Sequence, residues 1–124
     1  MAKRVFQVAY DASLMTTREL ILRSRGYEVV SVFGDTAARQ ELAKGCNCDL
    51  FIVGHNAPDQ RRHAIVRWLK ENFPHVRVLS LNPPHAGKVS DADYNVTLNG
   101  PEEWLRIVSS AIGSPGASHP PVAL

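Results

Sequence analysis

The sequence predicts a single doubly wound α/β domain, a parallel five-stranded sheet with helices on both faces. Three observations carry this. Short apolar runs alternate with amphipathic stretches along the 124 residues. The run Asp49-Leu50-Phe51-Ile52-Val53 is apolar at successive positions, as a strand covered on both faces must be. The segments are joined by short connections, which is the pattern of βαβ units.

Each element has its own signal. Val5, Phe6, Val8 and Ala9 mark a short buried strand. Leu14, Glu19, Leu20, Ile21 and Leu22 mark a helix, with Ser13 as its expected cap and Gly26 as the residue just past its end. Tyr27 to Phe33 is β-branched and aromatic, and reads as the second strand. Asp35 or Thr36 is placed to cap the next helix, which runs through Ala37, Leu42 and Ala43 to Gly45. The third strand, Asp49 to Val53, closes at Gly54. After the turn Asn56-Ala57-Pro58, a helix carries Ile65, Trp68 and Leu69 at helical spacing and stops at Phe73-Pro74. Val76 to Leu81 reads as strand four and Tyr94 to Leu98 as a weaker strand five. Between them, Asn82 to Gly87 is rich in helix breakers, so the fourth of about five helices is expected to be short. Pro101 suits the first turn of a last helix whose stripe is Trp104, Leu105, Ile107, Val108, Ala111 and Ile112. Five strands in this length suit a flavodoxin-like order, 2-1-3-4-5, in three α/β/α layers. Residues 1–113 form the expected domain, and 114–124, rich in Gly, Ser and Pro, a flexible tail too short to be an output domain.

Composition narrows the function classes. The net charge is +2, too mild to argue for nucleic-acid binding. The densest basic group, Arg61, Arg62, His63 and Arg67, reads as a solvated helix face. No apolar run reaches the roughly 18 residues of a membrane span, and the start runs straight into a strand without a signal-peptide core, so a cytoplasmic protein is expected. Cys46 and Cys48 are spaced too closely for good disulfide geometry and lack further ligands nearby, so they read as two reduced thiols at a strand entrance. The five histidines are scattered, and no metal or cofactor is expected.

Several stretches carry a family likeness. Arg4 to Tyr27 runs as apolar strand, polar turn, amphipathic helix and Gly-Tyr. Asp49 to Val53 leads into Pro58-Asp59; Val78-Leu79-Ser80 ends strand four; and Ala92-Asp93-Tyr94 precedes Pro101-Glu102-Glu103-Trp104-Leu105. In these features the chain resembles the receiver domains of two-component response regulators over roughly residues 4 to 112.

The resemblance implies where a phosphoryl-transfer site would sit. In the family an aspartate ending strand three takes the phosphoryl group. Two acidic residues after strand one hold Mg²⁺, a lysine after strand five pairs with the phosphate oxygens, and a hydroxyl after strand four completes the site. Carried onto this sequence, the acceptor falls on Gly54, which has no nucleophile. The acidic pair falls on Ala9 and Tyr10, with Asp11 one place late. The lysine falls on Leu98 to within one residue, and only Ser80 keeps the hydroxyl. The strand-five aromatic position falls on Asn95, beside Tyr94. A phosphoryl group brings close to two negative charges, and neither a divalent ion nor a lysine is provided here to offset them. The expectation is a pseudo-receiver: a module of bacterial signalling, not an enzyme, acting on a protein partner. That partner would be a histidine kinase, another regulator or, as a homodimer, a second copy.

Two rivals come from other residues. Tyr10, Asp11, His55, Asn56 and Ser80 are expected near one rim at the carboxyl end of the sheet, where open α/β sheets bind ligands. A small-molecule or anion-binding domain, or a minor enzyme, built on Tyr10, His55 and Ser80 is therefore the main alternative. Nucleic-acid binding through Arg61, Arg62 and Arg67 is a weaker one.

Overall fold

The computed structural model describes residues 2–98 and 101–113. The segment 114–124, read above as a flexible tail, lies outside them. The elements are β1 (Arg4–Ala9), α1 (Ala12–Ser24), β2 (Glu28–Phe33), α2 (Asp35–Ala43), β3 (Leu50–Val53), α3 (Asp59–Asn72), β4 (Arg77–Asn82), β5 (Tyr94–Thr97) and α4 (Pro101–Ile112). All strand pairs are parallel, in the order β2-β1-β3-β4-β5. This is the doubly wound sheet expected from the alternation of elements.

The sheet separates two apolar layers. Val5, Val29, Leu50, Ile52, Leu79, Leu81 and Val96 face α1 and α4, where Leu22, Trp104, Leu105 and Val108 meet them. Phe6, Val8, Phe51, Val53 and Val78 face α2 and α3, where Ala38, Leu42, Ile65, Val66 and Leu69 meet them. β3 therefore reads as a continuous apolar run because its alternate residues serve opposite layers. Each large side chain buried this way contributes about 1.5–3 kcal/mol. Phe51 packs edge-on against Phe6, with ring centroids 5.8 Å apart, and against Phe73 at 5.7 Å.

The caps depart from expectation in two places. Asp11, not Ser13, caps α1: its backbone is extended and its Oδ1 accepts from Leu14 N at 2.9 Å. That satisfies a first-turn N–H which Ser13, already inside the helix, is not placed to reach. Gly34, not Asp35 or Thr36, stands at the start of α2, with φ of 90°. Asp35 becomes the first helical residue, where its charge suits the helix dipole. Gly26 ends α1 as expected, with φ of 93° and its N–H donating to Arg23 O. Strand limits shift by about one residue: Tyr27 and Asp49 lie just before β2 and β3, and Leu98 just after β5. β4 starts one residue late and extends to Asn82. Tyr27 instead donates its hydroxyl to Gly113 O at 2.9 Å, tying the end of α4 to the start of β2.

The breaker-rich connection goes further than expected. Residues 83–93 cross from β4 to β5 in turns with no helix, so the described residues hold four helices. Asn95 holds this crossing: its Oδ1 accepts from Val89 N at 2.8 Å and its Nδ2 donates to Val89 O at 3.0 Å. Val89 itself is buried in the α2–α3 layer. Among the described residues no helix is long and apolar enough to cross a membrane.

Candidate functional site at the carboxyl edge of the sheet

The loops after β1, β3 and β4 meet at one edge of the sheet, where a doubly wound fold places its functional groups. Two of them are clasped together. Asp11 caps α1 with one carboxylate oxygen and accepts from Asn56 Nδ2 at 3.0 Å with the other. Both oxygens of the acid nearest the expected metal-binding pair thus have protein partners. Ala9 is buried beside them. Among the described residues no three His, Cys, Asp or Glu side chains gather as a metal site would need.

Gly54 follows β3 and is buried, its N–H donating to Val8 O at 2.9 Å. A Cβ at this position would stand 3.4 Å from Val8 O and 3.4 Å from Nη1 of Arg18. The space beside Gly54 is thus taken by a guanidinium. Arg18 lies one turn from both Leu14 and Leu22 on α1, on the inward face of the helix. Its stem runs along that face and its head reaches the strand end. Sequence reasoning passed over it, although its spacing on the apolar stripe was the available signal.

Arg18 is only 7% exposed. Its Nη2 lies 3.1 Å from Nδ1 of His55. A guanidinium has no acceptor, so Nδ1 accepts and the neutral ring carries its proton on Nε2. Burial holds the His55 pKa below its ordinary value, and the charges of Arg18 and Arg62 add to this against Asp11. Burial also lowers the Arg18 pKa, with Asp11 opposing, but an arginine stays charged. Among the described residues no carboxylate comes within ion-pair distance of Arg18.

The remaining rim residues are dispersed. Tyr10 packs with the α2–α3 layer and donates its hydroxyl to Asp35 Oδ1. Burial and then Asp35 push its pKa well above the usual phenol range. Ser80 is fully buried, its Oγ donating to Asn82 Oδ1 at 2.8 Å. Leu98 packs against the α1–α4 layer. The structure joins Asp11 to Asn56 and His55 to Arg18, with Tyr10 on one side of the sheet and Ser80 beneath the edge.

A second arginine corrects the reading of the basic group. Arg61 and Arg67 are exposed and pair with Asp35 and Asp91, as a solvated helix face should. Arg62 is 0% exposed. It donates through Nη1 to Asn82 Oδ1 and through Nη2 to Asp59 Oδ1, both at 2.6 Å. Asp59 is held below its ordinary pKa chiefly by that hydrogen bond. Asn82 passes the network on, its Nδ2 donating to Asn95 Oδ1 at 2.9 Å. Arg62 is thus a strut between α3, β4 and β5, withdrawn from any surface shared with Arg61 and Arg67. Cys46 and Cys48 are free thiols with sulfurs 2.9 Å apart, and burial, then Cys46, raises the Cys48 pKa.

No family model and no curated protein matches this chain. Solved structures do. A response-regulator receiver domain protein from Clostridium thermocellum superposes with a TM-score of 0.76 at 20% identity, over 89% of this chain and 94% of that one. The response regulator TrrA of Thermotoga maritima, solved in complex with the histidine kinase ThkA, gives 0.76 at 17% identity, over 89% and 98%. An adenylate cyclase structure from Rhodopirellula baltica gives 0.77 at 15% identity, over 95% and 93%. At these identities the likeness is one of fold, and structures described by different activities share it.

Proposed function

We propose that this chain is a phosphorylation-independent, receiver-like module of bacterial signal transduction. It works in the cytoplasm through contact with a protein partner and catalyses no reaction of its own. One observation carries the reading: Gly54, at the phosphoacceptor position, is packed against the Arg18 guanidinium. The position offers no nucleophile, and the nearest charge is already a cation.

Other observations support it. Asp11 has both oxygens engaged, so it is poorly placed to hold Mg²⁺. Leu98 supplies no charge at the lysine position. Asn95 ties strand five to the β4–β5 crossing where the family carries an aromatic residue. A module locked in one arrangement acts by presenting a surface. The receiver-like structure solved with a histidine kinase supplies the kind of partner; another regulator or a second copy of this chain are the others. The rim reading through Tyr10, His55 and Ser80 has less support, because Asp35 holds Tyr10 and Ser80 is buried. The same holds for nucleic acid at the basic helix, because Arg62 faces inward.

The test is incubation with acetyl phosphate and Mg²⁺, read by intact mass. The expected mass is unchanged. A hydroxylamine-sensitive phosphoryl adduct that disappears in Asp11→Asn or Asp59→Asn would overturn the proposal.

A further inference from the structure

Burying a cation is costly unless something offsets its lost hydration. Arg62 meets that cost with Asp59 and Asn82. Arg18, nearly as buried, has among the described residues one nitrogen of a neutral imidazole. Among the described residues its Nε and Nη1 have no hydrogen-bond acceptor and no carboxylate lies within ion-pair distance, Asp11 acting on it only from farther off.

Arg18 also forms part of the wall of a cleft. The cleft has a volume of about 310 Å³ and lies between α1, the loop after β3, the end of β5 and α4. Leu14, Thr17, Ile21, His55, Leu98 and Trp104 form the rest of its wall. Four of these six are apolar, and the hydrogen-bonding groups are few. That is the composition of a small-ligand site: a mainly apolar wall with a small number of orienting polar groups. The size is at the lower end for such sites.

We propose that this cleft binds a small carboxylic acid with an apolar body, the carboxylate on Arg18 and the body between Leu14, Ile21, Leu98 and Trp104. The planar guanidinium matches two carboxylate oxygens. His55 Nδ1 holds the guanidinium in place by accepting from Nη2 at 3.1 Å. One cation balances one negative charge; a phosphate dianion would need a second, and Asp11 adds negative charge nearby. A sugar or nucleoside would leave hydroxyls unpaired against the leucines, isoleucine and indole. The site is separate from the docking role, and the acetyl phosphate experiment does not bear on it.

The test is a titration of the ¹⁵N-labelled chain with 3-phenylpropionate, followed through backbone amides and the Trp104 indole N–H. Two comparison probes are 3-phenylpropanol, which has the body without the charge, and inorganic phosphate, which has charge without the body. The expected result is saturable shifts at Leu14, Thr17, Leu98 and Trp104, with a dissociation constant in the millimolar range or below. Arg18→Met should weaken binding by at least about tenfold. Leu98→Trp, which leaves the arginine in place and fills the cleft, should weaken it comparably, and it decides the matter if Arg18→Met does not fold. Absence of saturable shifts up to tens of millimolar would overturn the proposal. So would equal binding of the alcohol or of phosphate, or undiminished affinity in the folded variants.

Discussion

Arg62 ends in a closed set of partners, whereas Arg18 ends in a cleft. Both guanidiniums are buried at the carboxyl edge of one sheet, on helices that pack against its opposite faces. Around Arg62 the groups interlock: Asp59 and Asn82 accept from it, Ser80 donates to Asn82, and Asn82 donates to Asn95, which holds Val89. Its Nε alone lacks a partner. Around Arg18 there are His55, Gly54, whose side the guanidinium fills, and an apolar wall. The difference teaches that burial of a charge does not by itself state its purpose. A cation with its partners in place is holding elements together, and one without them is a candidate for recognising something else.

Four measurements break or sharpen this contrast. The largest effect belongs to Asn82→Leu. It takes the Nη1 acceptor from a fully buried cation and leaves Ser80 unpaired, so urea unfolding should show a loss of about 3–5 kcal/mol. A loss below about 1 kcal/mol would mean that Arg62 does not depend on its partner set. Next is Asn95→Val, which frees the Val89 N–H, leaves Val89 O with Ala92 N as its donor, and removes the acceptor of Asn82 Nδ2. It should lose about 1–3 kcal/mol, with faster amide exchange across residues 83–93.

Arg18→Met should behave in the opposite way. The thioether follows the path of the stem and removes a buried charge that has no ion pair among the described residues, so stability should stay within about 1 kcal/mol of the parent or rise. A loss as large as that of Asn82→Leu would make Arg18 a second strut and remove the contrast. The smallest effect is the pH dependence of His55. Its folded pKa lies below the ordinary 6.5, chiefly through burial. The unfolded chain therefore takes up the proton first as pH falls. The stability tied to the neutral ring is present above pH 6.5 and is lost as the pH drops through the folded pKa. An NMR titration of the ring should give a midpoint below 6.5, and Arg18→Met should move it upward by removing a neighbouring positive charge. A midpoint above 6.5 would contradict the Arg18–His55 hydrogen bond.

Much of the fold was legible because its signals are local. The two-faced apolar run of β3, the stripe of α4 and Gly26 after α1 each depend on residues close together in the chain. The caps were less legible, since Asp11 and Ser13 are both good candidates and the start of the helix decides between them. The crossing between β4 and β5 could be read as breaker-rich, but its fastening by Asn95 to Val89 needed the geometry of the turns.

The amino-acid sequence by itself determined the doubly wound sheet and the absence of a nucleophile at Gly54, because periodicity and residue identity are properties of the chain alone. Only the tertiary structure decided that a guanidinium lies beside Gly54. Arg62 and Arg18 each sit at helical spacing within an otherwise unremarkable helix. Whether a buried guanidinium meets an asparagine from another strand or faces a cleft depends on how distant segments approach, and hydrogen bonds form only over that short distance.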